Sequence, residues 1–293
     1  MKIIKHITLS LFALGAFMTA YAAEDVRLLR FPDINRDLIA FVYAGDIWTV
    51  SSTGGEARRL TSHNGLELFP KISPDGKWIA FSGEYSGSRQ IFVIPSNGGV
   101  PRQLTWYNSV GVMPPRGGWD NAVLDWTPDS KQILIRAART AFGERQGKYF
   151  LVSLDGKFEK PLQIVNGGFG VLSPDGSRMV FTPVDREFRN WKRYKGGRAT
   201  DLWIYNLKEN TSEQITNFEG TDQLPVWSGE NIFFASDRDL KLNIWQYNTA
   251  TKETKQITRH NEFDVMWPSG NGDQLVYENG GHIYKLSLPS GEP

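Results

Sequence analysis

Phe69-Pro70-Lys71-Ile72-Ser73-Pro74-Asp75-Gly76-Lys77-Trp78-Ile79-Ala80-Phe81 decides the fold, because the chain writes it again. Phe169 to Phe181 and Leu124 to Ile135 repeat it almost residue for residue, with Ser173-Pro174-Asp175-Gly176 and Thr127-Pro128-Asp129-Ser130 at the turn. Weaker copies run from Phe31 to Phe41, from Leu224 to Phe234 and from Val265 to Tyr277. Within each copy Pro presets φ, Asp bonds back to the turn backbone and Gly tolerates positive φ, so the chain reverses tightly. An apolar strand follows the turn.

Two further motifs travel with the first. An alternating strand comes next: Asp46-Ile47-Trp48-Thr49-Val50, Gln90 to Ile94, Lys148 to Val152, Asp201 to Tyr205, Asn243 to Tyr247 and His282 to Leu286. Most units then close on Arg59-Leu60-Thr61, Gln103-Leu104-Thr105, Gln214-Ile215-Thr216 or Gln256-Ile257-Thr258. Four short strands in about 45 residues is the size of a propeller blade. A lone four-stranded sheet cannot bury both faces, whereas six around an axis shield one another. The expected fold is all-β: a six-bladed β-propeller of four-stranded antiparallel blades over 23–293. Its Trp, Phe and Tyr residues fill the layers between blades. Ring closure stays open at this level: Val26 to Phe31 can be the fourth strand of blade six or the first of blade one. The sequence after Leu286 is too short and Pro-rich to supply a strand.

The first 22 residues read as an address. A basic start, Met1 to His6, precedes an apolar run of about 14 residues from Ile7 to Ala20, then Ala20-Tyr21-Ala22, a small-x-small cleavage site. The run is short for a spanning helix, which needs about 20 residues. The expectation is a cleavable signal peptide cut after Ala22, a periplasmic or secreted chain, and no transmembrane segment once it is removed. The 293 residues carry 33 Lys+Arg, 32 Asp+Glu and no Cys. Near-neutrality argues against nucleic acid as a partner. The lack of Cys excludes a disulfide scaffold, a thiol nucleophile and a Cys-based zinc site. No Gly-x-Ser-x-Gly elbow and no His-Glu-x-x-His helix occurs, and His63, His260 and His282 fall in different units. No catalytic residue, metal site or cofactor is expected.

Two segments interrupt the repeat, and insertions in repeat proteins map to loops on the working face. Trp106 to Asn121 is Gly/Pro-rich and carries a lone Arg116, a residue suited to bidentate contact with a carboxylate. Asp185 to Arg198 interleaves six bases with three aromatics. Arg189, Trp191, Lys192, Arg193 and Tyr194 are its candidate partner-contact residues, with packing on the propeller itself as the other reading.

Phe41-Val42-Tyr43-Ala44-Gly45-Asp46-Ile47-Trp48, Ala57 to His63, Leu66 to Pro70, Val276 to Gly281 and, most specifically, Arg186-Glu187-Phe188-Arg189-Asn190-Trp191-Lys192-Arg193-Tyr194-Lys195-Gly196-Gly197 resemble the N-terminal six-bladed propeller of tricorn protease homologues. The resemblance covers essentially the whole chain after the leader. It implies a large oligomeric serine peptidase that cuts oligopeptides, with this propeller as a channel and assembly surface and the catalytic Ser and His in later domains. It implies oligopeptides, the remaining peptidase domains or further subunits as partners. In the family a basic pair on the loop before the third blade anchors the substrate carboxylate; the matching stretch, Pro115-Arg116-Gly117-Gly118, keeps one Arg, so Arg116 is the implied anchor. The Ser-Pro-Asp-Gly turn is shared with the Tol-Pal propeller protein, and a stand-alone periplasmic protein-binding propeller is the alternative expectation.

Overall fold

The computed structural model describes residues 26–107, 120–139, 147–164, 166–185, 187–188 and 191–288. Each unit of the repeat forms one sheet. Blade one comprises β1 (Arg30–Asn35), β2 (Leu38–Tyr43), β3 (Asp46–Ser51) and β4 (Arg58–Arg59); blade two comprises β5 (Glu67–Ile72), β6 (Trp78–Gly83), β7 (Gln90–Pro95) and β8 (Arg102–Gln103). Blade three comprises β9 (Ala122–Trp126), β10 (Gln132–Ala137), β11 (Lys148–Ser153) and β12 (Lys160–Pro161). Blade four comprises β13 (Gly170–Leu172), β14 (Arg178–Phe181), β15 (Trp203–Asn206) and β16 (Thr211–Gln214). Blade five comprises β17 (Asp222–Ser228), β18 (Asn231–Ser236), β19 (Asn243–Asn248) and β20 (Thr254–Gln256). Blade six holds β21 (Met266–Asn271), β22 (Gln274–Asn279) and β23 (His282–Ser287), with no fourth strand among the described residues.

Every blade is an antiparallel meander in chain order, so the six-bladed all-β propeller is borne out. The turns work as their residue types dictate. Ser73 Oγ donates to Asp75 at 2.6 Å and accepts the Trp78 N–H at 3.0 Å, while Asp75 accepts the Lys77 N–H at 3.1 Å. Thr127 with Asp129 and Ser173 with Asp175 repeat the arrangement. The second strands are the most deeply buried: Ile79, Ala80, Phe81, Ile133, Leu134 and Ile135 have no exposed surface.

The open question of the N-terminus resolves in favour of blade one. Residues 26–29 form no strand, and β1 begins at Arg30. The seam between blades one and six is stitched by single bonds instead of a shared sheet. Leu29 N–H donates to the Gly281 carbonyl at 3.1 Å, Phe31 N–H to Glu278 Oε1 at 2.5 Å, and Arg30 Nε to Glu278 Oε2 at 3.1 Å. Ser269 Oγ bonds Asp33, and Lys285 Nζ reaches the Ser52 carbonyl at 2.7 Å.

Candidate functional site on the propeller axis

The inner strands carry a device that the strand pattern alone does not announce. Phe31-Pro32, Phe69-Pro70, Leu224-Pro225 and Trp267-Pro268 each sit where the pairing of the innermost strand with its neighbour slips. The residue before Pro takes φ of +50°, +54°, +54° and +49° respectively. A bulky side chain in that region costs roughly 1–2 kcal/mol. Bulges of this kind re-aim a side chain, and here they turn it to the axis. Phe31 meets Phe69 at 4.5 Å and Trp267 at 4.8 Å between ring centroids; Phe169 meets Phe69 at 5.4 Å and Trp267 at 5.1 Å. Phe31, Phe69 and Trp267 from three of these bulges, and Phe169 directly before the regularly paired inner strand of blade four, build one aromatic plug, its members all buried.

The insertion completes the plug. Phe188 lies 5.0 Å from Trp267 and 6.1 Å from Phe69, ring to ring. Its neighbour Glu187 accepts the Phe169 N–H at 2.5 Å and sits 3.6 Å from Arg136, both side chains being buried. Arg136 in turn lies over the Phe169 ring at 5.1 Å.

The plug divides the axis in two, with Trp267 as a wall of both halves. On the Ser-Pro-Asp-Gly side is a funnel of about 330 Å³, its mouth framed by Pro74, Pro128 and Pro174. One register position, two residues before each turn, lines it with Asp33, Lys71, Asp125, Val171, Val226 and Ser269. Blades six, one, two and three therefore supply a polar half and blades four and five an apolar half. Lys71 Nζ donates to Ser269 Oγ at 2.5 Å and stands 3.6 Å from Asp33. The two acids also tie blades together: Asp33 accepts the Ile72 N–H at 2.7 Å and Asp125 the Leu172 N–H at 2.8 Å. Burial raises the Asp125 carboxyl to about 6 against the pull of the Leu172 and Trp126 N–H groups and of Lys71. The funnel joins an aromatic floor, one cation and two carboxylates, which suits a ligand with an apolar side chain and charged or amide groups nearby.

On the other side is a cup of about 730 Å³, lined by Trp191, Lys192 and Arg193 of the insertion with Arg27, Leu28 and Leu240. Lys192 Nζ pairs with Asp264 at 2.7 Å, Arg193 Nε donates to the Leu240 carbonyl at 3.2 Å, and the Trp191 and Tyr194 rings stand 5.2 Å apart. The described part of the insertion thus packs on its own propeller. Arg116 and Arg189 lie outside the described residues. The structure brings Trp191, Lys192 and Arg193 to the cup, with Tyr194 against Trp191; sequence reasoning passed over Glu187 and Phe188, which reach the axis. The signal that marks the bulges is an aromatic or Leu followed by Pro in four of the six copies, three of which supply plug rings. No group of three or more His or acidic residues suited to a metal ion occurs among the described residues.

Comparison with known proteins agrees with this architecture. The family model described as the tricorn protease N-terminal beta propeller domain matches residues 26–292. A tricorn protease homolog of Saccharolobus solfataricus is 28% identical over 263 residues, covering 87% of this chain and 23% of that protein. The crystal structure of the tricorn protease superposes with a TM-score of 0.76 at 23% identity, covering 89% of this chain and 25% of that one. The Tol-Pal system protein TolB of Anaeromyxobacter dehalogenans is 41% identical over 103 residues, which cover 35% of this chain and 20% of that protein. The chain spans about a quarter of the length of the tricorn relative it matches. The repeat, the insertion and the family match converge: the chain belongs to the tricorn protease N-terminal β-propeller family.

Proposed function

We propose that this chain is the propeller module of an exported tricorn-like serine peptidase and handles oligopeptides at its axis. The observation that carries the reading is the funnel: an aromatic floor beside Lys71, Asp33 and Asp125, open at the turn-bearing face. A peptide offers that chemistry in return, with apolar side chains for the rings and backbone or terminal charges for the polar half. The plug makes the axis a stopped funnel in this conformation, so passage of a peptide along the axis requires Phe31, Phe69, Phe169 and Trp267 to part as well as Phe188 to withdraw. Arg116, on the loop before the third blade, is the proposed carboxylate anchor. Bond cleavage belongs to domains outside this chain, and residues 1–22 direct export.

The test is to mix the purified chain with oligopeptides of free and amidated C-terminus, and separately with a serine-directed covalent probe. Binding without turnover or labelling is expected, with weaker binding of the amidated peptide and of the Arg116→Ala variant. Turnover or covalent labelling of the chain alone would refute the assignment. Cell fractionation checks export: a cytoplasmic chain with residues 1–22 retained would overturn it.

A second reading, a protein-binding propeller like TolB, is favoured by one observation. Leu28, Trp191, Leu240 and Phe263 stand 74%, 48%, 63% and 55% exposed around the cup. Apolar side chains gathered at a rim are the usual mark of a protein contact. Reading the gene downstream of the Pro293 codon discriminates the two: peptidase domains in frame support the first, and a stop with no adjacent peptidase gene the second.

A further inference from the structure

The polar half of the axial funnel is built twice to one plan, and the second copy lacks its cation. In blade one, Asp33 Oδ2 accepts the Ile72 N–H of blade two at 2.7 Å, and Lys71, the residue before Ile72, stands 3.6 Å from Asp33 Oδ1. In blade three, Asp125 Oδ2 accepts the Leu172 N–H of blade four at 2.8 Å, in the same relation. The residue before Leu172 is Val171. Asp33 and Asp125 share one register position of the inner strand, and so do Lys71 and Val171 in the blades that follow. Asp33 also takes the Ser269 hydroxyl, to which Lys71 Nζ donates at 2.5 Å. Asp125 has only backbone N–H groups, that of Leu172 and that of Trp126 at 2.8 Å.

Among the described residues no cation is bonded to Asp125; Lys71 acts on it through its field alone. A carboxylate oxygen accepts two bonds, so Oδ1 and Oδ2 each keep one acceptor direction. Asp125 lines the same funnel as Val171, Val226 and Phe169. The charged residues of that lining are Asp33, Lys71 and Asp125, which leave one negative charge in excess when both acids are ionised. Lys71 is already engaged by Ser269 and Asp33, so an incoming anion finds no free cation. A short carboxylate beside an apolar wall and an aromatic floor selects the opposite: a cation on an apolar body.

We infer that the funnel takes a primary ammonium group against Asp125, with the apolar body that carries it laid on Val171, Val226 and the Phe169 ring. The ammonium stands where blade two supplies Lys71 to its neighbour and blade four supplies nothing. At about 330 Å³ the funnel is at the small end of ligand pockets, so it admits one end of a chain or one side chain. On a peptide the group is the amino end of an apolar first residue, or a lysine side chain. The inference rests on the reading that peptides are handled at the axis, and with the amino end as the source it gives them a direction, amino end toward the plug.

The experiment titrates the full chain with phenylethylammonium and with hydrocinnamate, a probe of similar shape and opposite charge, and follows the Asp125 carboxyl carbon and the Val171 methyl groups by NMR. Saturable shifts at both residues are expected with phenylethylammonium below about 10 mM, and none with hydrocinnamate. Three peptides, all amidated at the C-terminus, separate the sources: Phe-Gly-Gly with a free amino end, the same peptide acetylated, and acetyl-Gly-Lys-Gly. Acetylating the first should weaken its binding about ten-fold, as loss of a charge-assisted hydrogen bond does. The tighter of the first and third names the amino end or the lysine side chain as the source. Asp125→Asn, which keeps an acceptor for Leu172, and Val171→Lys, which copies Lys71, should each abolish phenylethylammonium binding. Peptides bound with no preference for an ammonium overturn the inference and leave the axial reading standing. Phenylethylammonium bound at Asp125 with no peptide bound does the reverse. No shift with phenylethylammonium up to about 10 mM, preference for hydrocinnamate, or binding unchanged in both variants would each overturn the inference.

Discussion

Phe31 and Trp267, from the first and last blades, meet edge to face at 4.8 Å, so the seam of the ring is also a wall of the axial plug. The rings that close the axis are among those that close the circle. Trp267→Ala should therefore cost about 3–5 kcal/mol, the usual loss for a truncated buried aromatic. Urea denaturation followed by far-UV circular dichroism measures it.

Phe188 touches the same plug from a loop and is only half-buried. Phe188→Ala should cost less, about 1–2 kcal/mol. It should also speed proteolytic cutting within 185–198, because Glu187 and Phe188 are what pin that loop to the axis. Limited proteolysis with mass-spectrometric mapping reads this; an unchanged cutting rate would show that the loop is held elsewhere.

Glu278 takes the Phe31 N–H and Arg30 across the seam, and burial raises its carboxyl to about 7 against those two partners. Between its ordinary 4.5 and about 7 the folded chain keeps a proton that the unfolded chain has released. Its contribution to stability is therefore greatest below pH 4.5 and declines as pH rises toward 7. Glu278→Gln keeps an acceptor for Phe31 and removes the titration. The variant's stability should fall less than the wild type's across that window, by about 2 kcal/mol after allowance for the half-exposed Arg30. Urea midpoints at pH 4.5, 6 and 7.5 give the comparison.

Lys71 stands between Asp33 and the electrostatic reach of Asp125. Lys71→Met leaves two carboxylates facing one funnel without their cation. The Asp125 carboxyl, already near 6, should move further up, and carboxyl-carbon NMR titration reports the direction. A downward shift would show that the funnel draws in a replacement cation.

Thr258 accepts from Ile244 and donates to Asn243, both bonds buried. Thr258→Val keeps the shape and orphans the Ile244 N–H, while Asn243 Oδ1 keeps the His260 N–H at 2.8 Å, at a cost of about 1–3 kcal/mol. Thermal unfolding of Thr258→Val beside Thr251→Val, an exposed control, separates the bond from the general effect of the substitution.

What could be read from the sequence is what one blade decides for itself. The Ser-Pro-Asp-Gly turn, the apolar second strand and the alternating third strand are local patterns, and each copy repeats them. The plug was not readable in that way. Phe31, Phe69, Phe169 and Trp267 are far apart in the chain, and the ring alone makes them neighbours. For Phe31, Phe69 and Trp267 the role turns on a bulge that a period-two pattern smooths over. The cationic and aromatic run at 189–194 is what the insertion shows as sequence, whereas among the described residues Glu187 and Phe188 are the ones that reach the axial plug. The Leu/Ile-Thr motif was visible as a refrain, but its meaning as a strand-locking clasp needed the hydrogen bonds.

Among the described residues every blade is cut from one continuous stretch of chain, and no strand is exchanged between the first and the last. Assembly can then proceed blade by blade, each new meander condensing on the one before, through contacts close in sequence. The meeting of blade six with blade one is the single long-distance step: Ile34, Ile39 and Phe41 pack there on Val276, Phe31 meets Trp267, and a handful of hydrogen bonds join them. Such a circle is a sprung clip more than a welded hoop, and under heat or load it should part first at Glu278 and Ser269.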